Sequence, residues 1–217
     1  HVYRKREIIK TLETSDRIVR PANLSRKATG RRWTAVDTKS GSHRVAVSCY
    51  LGQLYMHASN SPWDAVEEVF REIPPEVRIR VVDMHAEASS EKIAMSWLLD
   101  GRASIVFGTH THIPTADARI LPGGTACISD LGMTGPYDGV LGRRKDRVLS
   151  ALTTGMPANF EVSLGDPRMC GVVVSVNPGN GRAESIERVE ICGEAIEGRR
   201  GQDAGQPGKP KGRDQDQ

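Results

Sequence analysis

Apolar residues change their spacing repeatedly along this chain, and each change marks an element. Between residues 2 and 13, Ile8, Ile9 and Leu12 fall on one side among charged neighbours, which predicts a short amphipathic helix. Pro21 ends anything helical by biasing Arg20 toward extended geometry. Alternating stretches at 32–38 and 44–51 flank Ser40-Gly41-Ser42, predicting an antiparallel hairpin with His43 at its turn. Ser61-Pro62 is a helix start, Val66, Val69, Phe70 and Ile73 form the buried stripe, and Pro74-Pro75 stop it. Val77 to Val82 reads as a β-branched strand ending in Asp83-Met84-His85. A second helix follows, capped by Ser89 or Ser90, running to about Leu99 and closed by Gly101. Ala103 to Phe107 is wholly apolar, which predicts a strand covered on both faces, and it opens into Gly108-Thr109-His110-Thr111-His112. Beyond it the pattern predicts a strand at 124–129, a glycine-rich loop at 130–142 and a helix at 144–154. Closing strands are expected near 158–164, 170–176 and 184–191, with Asn177-Pro178-Gly179-Asn180-Gly181 as a turn.

At 217 residues and 38% hydrophobic, the chain can build one core. No stretch approaches the roughly 18 consecutive apolar residues of a spanning helix, so a membrane-embedded protein is excluded. Cys49, Cys127, Cys170 and Cys192 are widely separated and lack the spacing of a zinc ribbon or redox pair; they read as buried thiols in a reducing cytoplasm. From Gly198 onward no apolar residue exceeds alanine or proline in size, so 1–197 is expected to form the folded domain and 198–217 a disordered tail. The first residue is His1 rather than methionine, and the chain is expected to be a fragment or a processed product. Residues 1–32 carry ten Lys/Arg against three Asp/Glu. This basic front reads either as a solvated helix face with its loop or as a surface for an anionic ligand.

Three of the six histidines, His85, His110 and His112, fall at the two strand ends described above. Neutral imidazole ligates Zn, Mn or Fe, and strand C-termini are where α/β folds gather functional groups. In an extended His110-Thr111-His112 the rings would point to opposite sides, which suits two neighbouring ions better than one. Hydrogen-bonded histidines at strand ends are the competing reading. Asp83, Glu87 and Asp130 could orient an imidazole or merely cap loops, and His57 reads as a surface histidine.

Asp83-Met84-His85-Ala86-Glu87-Ala88, Ser90-Glu91-Lys92, Asp100-Gly101-Arg102-Ala103-Ser104, Gly108 to His112, Thr115-Ala116-Asp117 and Asp130 to Gly139 together closely resemble the YmdB-like family of calcineurin-like metallophosphoesterases, from residue 1 to about 191. The resemblance implies a four-layer αββα metallophosphoesterase sandwich, here lacking its N-terminal strands. It also implies two divalent metal ions, Fe or Mn ahead of Zn, and hydrolysis of phosphodiesters such as 2′,3′-cyclic nucleotides through a metal-bridging hydroxide. His85 and His110 match the histidines on the second metal and His112 the one on the first. His1 matches the histidine of the family's Gly-Asn-His motif, whose implied role is to protonate the leaving oxygen. The family's Gly-Asp aspartate, its bridging acidic residue with the adjoining Asn, and the Asn preceding His1 have no counterpart in this sequence. A bridging carboxylate makes two nearby cations tolerable, so phosphodiesterase activity is expected of the intact protein and little hydrolysis of this chain alone. For the intact protein the expected partners are a nucleotide or other phosphodiester and further copies in a homo-oligomer. Two alternatives stand beside this. One is a non-catalytic metal-binding or RNA-contacting regulator using the basic front. The other is a phosphomonoesterase or nuclease on the same scaffold.

Overall fold

The computed structural model describes residues 5–57 and 59–193. His1 and the tail 198–217, expected respectively to donate a proton and to be disordered, lie outside the described residues. The amphipathic segment near the start folds as α1 (Glu7–Thr14), which buries Leu12. The expected hairpin follows: β1 (Trp33–Asp37) pairs antiparallel with β2 (Arg44–Leu51), and His43 is exposed at the turn. The next helix is α2 (Pro62–Glu72), whose cap Ser61 accepts the Asp64 amide while Pro74-Pro75 end the segment. It leads into β3 (Ile79–His85), α3 (Ser89–Leu98) and β4 (Ile105–Thr109).

Parallel pairing of β2 with β3 and of β3 with β4 alternates the side chains between two faces. Ala46, Tyr50, Val82, Met84 and Val106 share one face and pack with Ala65, Val66, Val69, Phe70, Met95 and Leu99 into one buried cluster. The opposite face carries Cys49, Asp83, His85, Phe107 and Thr109, all only part-buried. Two helices, α2 and α3, thus cover the hydrophobic side, and the strand-end polar residues emerge on the other. Short strands β5 (Arg119–Ile120) and β6 (Ala126–Ile128) complete a mixed six-stranded sheet in the order β1-β2-β3-β4-β6-β5. A second, antiparallel sheet consists of β7 (Thr134–Pro136), β8 (Pro167–Val176) and β9 (Ala183–Cys192), and β9 packs against β5 and β6. Between β7 and β8 lies α4 (Lys145–Thr154). The class is α/β, with helices on one side of the larger sheet and a second sheet packed beside its β5–β6 end. Among the described residues no helix is long and apolar enough to cross a membrane.

Four expectations need correction. Ala88, not a serine, is the cap residue of α3, and it makes no side-chain cap hydrogen bond. β4 is covered on one face rather than both: Val106 is buried, while Ile105 and Phe107 on the other face remain part-exposed. Residues 158–164 form no strand; a single bridge, Arg143 to Val162, ties them to the segment before α4. Of the four free cysteines only Cys127 is buried, since Cys192 ends the edge strand β9 and is exposed.

Gly108 shows how tightly β4 is set. A Cβ there would stand 1.7 Å from the Ser129 carbonyl oxygen and 2.6 Å from Lys92 Cδ. Gly108→Ala is therefore expected to lose about 3 kcal/mol or more of stability in urea denaturation. Gly171→Ala, which meets nothing within 4 Å, should stay within about 0.5 kcal/mol of the parent. Equal losses at the two positions would contradict the packing described.

Candidate functional site

Register explains why the polar residues meet. His85 lies opposite Thr109 across β3 and β4, and Cys49 lies opposite Asp83 across β2 and β3. On the helix-free face this gives a hydrogen-bonded line. Thr109 Oγ1 donates to Asp83 Oδ1 at 2.7 Å, so the same oxygen can accept the Nδ1 proton of His85, 3.0 Å away. Burial pushes the Asp83 carboxyl above its usual range, and bonds from Thr109 and the Cys49 thiol draw it part of the way back. Burial and the neighbouring Asp83 raise Cys49 well above an ordinary thiol, so it stays protonated.

The line continues from the other side of the His85 ring. His85 Nε2 stands 3.1 Å from His110 Nδ1, the rings meet edge to face at 77°, and His110 Nε2 lies 3.0 Å from Glu87 Oε2. Thr109 fixes the proton of His85 on Nδ1, and Glu87 draws that of His110 to Nε2. In those tautomers the inner nitrogens meet lone pair to lone pair, whereas the contact is a hydrogen bond when one of them keeps a proton; a metal ion bound by both would satisfy the first arrangement. Two nitrogens each about 2.1 Å from one ion at adjacent octahedral positions would stand about 3 Å apart. Burial, aided by the nearness of His110, lowers the His85 pKa from 6.5 to about 4, so its ring is neutral at pH 7. Two imidazoles with their outer nitrogens held by Thr109 and a carboxylate thus fit half of a metal site. Among the described residues no set of three His, Cys, Asp or Glu completes a cage.

His112 sits apart from this pair. It is exposed, and the extended backbone expected across His110-Thr111-His112 is absent: φ is +97° at His110 and +69° at His112. The cause is Thr111, whose amide (3.1 Å) and hydroxyl (2.6 Å) both bond Asp130 Oδ2 and pull the loop into a sharp turn. The two rings therefore do not alternate across an extended strand, and the backbone gives no basis for one ion at each. Of the predicted site residues the structure gathers His85 and His110, leaves His112 exposed on the same loop, and does not describe His1. Of the carboxylates weighed, Asp83 acts on His85 through Thr109 and Glu87 touches His110, while Asp130 bonds the loop rather than a ring. Thr109, Thr111 and Lys92 were missed as functional candidates; their strand-end and helix-start positions were legible, their partners were not.

A family model described as YmdB-like protein matches residues 1–189. The chain belongs to the YmdB-like family. A relative, the 2′,3′-cyclic-nucleotide 2′-phosphodiesterase of Bacillus subtilis, is 39% identical over 191 residues, 88% of this chain and 72% of that protein. Crystal structures of a phosphatase from Mycoplasma pneumoniae (TM-score 0.80, 27% identity) and of a hypothetical protein from Thermus thermophilus (TM-score 0.78, 31% identity) share the fold. The first covers 90% of this chain and the second 86%, and this chain covers 71% of each of them.

The depressed pKa of His85 gives a stability prediction for this YmdB-like chain without metal. Above about pH 6.5 the ring is neutral in both folded and unfolded states. As pH falls toward 4 the unfolded chain takes up a proton that the folded chain refuses, so stability is lost across that window. Thermal melts at pH 7 and pH 4.5 should show a smaller acid-induced fall in Tm for His85→Gln than for the parent. An identical fall would show that His85 is not the group responsible.

Proposed function

We propose that this chain carries the histidine side of a metal-dependent phosphodiesterase site that acts on 2′,3′-cyclic nucleotides. The observation that carries the reading is the pair of facing ring nitrogens, 3.1 Å apart, with their outer nitrogens fixed by Thr109 and Glu87. The name of the Bacillus subtilis relative supports the substrate class. His85 and His110 would hold one divalent ion, Fe or Mn ahead of Zn, and exposed His112 would contribute to a second. When bound, such ions supply Lewis acidity toward phosphoryl oxygens and lower the pKa of water.

The chain's own residues supply the rest. Thr109 and Asp83 keep the His85 proton on Nδ1, which presents Nε2 to the ion. Glu87 does the same for His110 from the opposite side, so neither ring can rotate without losing a hydrogen bond. Since His85 is neutral at pH 7, no proton competes with the ion at its Nε2. His1 is proposed to protonate the departing ribose oxygen, for which it must be protonated before attack. The Mycoplasma pneumoniae structure bears the name phosphatase, which favours monoester hydrolysis as the second reading.

Isothermal titration of the chain with Mn²⁺ should give binding that His110→Ala weakens about 100-fold, and an unchanged affinity would reject the metal assignment. The intact protein loaded with Mn²⁺ should turn over 2′,3′-cyclic AMP in preference to p-nitrophenyl phosphate. Preference for the monoester would reject the substrate class in favour of the second reading. Replacing His1 by Ala should lower turnover while leaving metal content nearly unchanged, and equal loss of both would make it a ligand or a structural residue.

A further inference from the structure

Two adjacent charged side chains on the first turn of α3 are buried, and each reaches a different strand-end loop. Glu91 accepts the amides of Gln53 at 2.9 Å and Leu54 at 3.3 Å, just beyond β2. Lys92 Nζ reaches Asp130 Oδ2 at 3.0 Å and Thr111 Oγ1 at 2.9 Å, and its side chain and that of Asp130 are 3% and 1% exposed. Asp130 also accepts the Gly132 amide on its other oxygen, at 2.8 Å, while Oδ2 takes the Thr111 amide and hydroxyl. Apart from Asp130 Oδ1, which takes the Gly132 amide, the hydrogen bonds of this buried ion pair converge on the residue between His110 and His112. Both histidines have positive φ, a backbone state that non-glycine residues hold only when their surroundings impose it. Gly108 admits this approach, because any larger residue would strike Lys92 and Ser129.

We infer that the buried Lys92–Asp130 pair is a positioning device that clamps Thr111 and so sets the directions of the His110 and His112 rings. The inference rests on the reading of those two histidines as functional groups. A buried ion pair is weak evidence for stability, since apolar residues of similar volume replace such pairs with little or no loss. Its retention here is explained by what it holds.

The double variant Lys92→Met with Asp130→Leu separates the two roles. Its Tm should lie within about 5 °C of the parent. In the metal-free protein, ¹⁵N relaxation should show residues 110–112 rigid in the parent and mobile in the double variant, and its Mn²⁺ affinity should fall 10- to 100-fold. Unchanged rigidity of 110–112 in the folded double variant would overturn the inference. Should that variant fail to fold, Thr111→Val decides the matter, because it leaves the ion pair intact and removes only the hydroxyl. The inference requires increased mobility of 110–112 and about 10-fold weaker Mn²⁺ binding there, and parental values for both would overturn it. Failure of the parent itself to bind Mn²⁺ would count against the metal reading of the site, and the relaxation comparison would still decide the clamp.

Discussion

Two imidazole nitrogens stand 3.1 Å apart, close enough to share a proton or to bind one metal ion together, and the proposed chemistry depends on that contact. The protein fixes both rings from behind. A threonine whose own proton is committed to a part-buried carboxylate holds one, and a carboxylate holds the other. With the outer nitrogens tied in this way the two inner nitrogens are placed side by side, which is what the proposed metal site requires.

The scaffold that makes this possible is a division of labour between the faces of a parallel sheet. Even-numbered residues on β2 to β4 meet the helices and build the core, which leaves odd-numbered positions to carry Cys49, Asp83, His85 and Thr109 in one cross-strand cluster. Because neighbouring parallel strands keep their register, residues distant in sequence arrive at hydrogen-bonding distance without any loop having to place them. The His110 loop is the exception. It leaves the strand, and its geometry is imposed by α3 and by the segment after β6 through buried charges.

Much of the fold was legible in the sequence because local rules governed it. The β1–β2 hairpin, the Ser61-Pro62 helix start and the turn after β8 each follow from residues within a few positions. Short elements were not: β5 and β7 are too brief to show a period, and 158–164 alternates like a strand yet finds no partner ladder. At the site, the concentration of His85, His110 and His112 at strand ends was visible, and the string resemblance gave the family. The reversal of backbone at His110 and His112 was not visible, because its cause is Asp130, 19 residues beyond Thr111, acting through a hydrogen bond that no local pattern encodes. Thr109 was hidden for the same reason: its importance comes from register with His85 across two strands.

The most direct test is long-range ¹H–¹⁵N spectroscopy of the histidine rings in ¹⁵N-labelled protein titrated with Zn²⁺ as a diamagnetic ion. The facing geometry predicts that His85 Nε2 and His110 Nδ1 shift together on a single binding curve, while His85 Nδ1 and His110 Nε2 remain protonated throughout. Shifts confined to one ring, or metal taken up by the outer nitrogens, would contradict it.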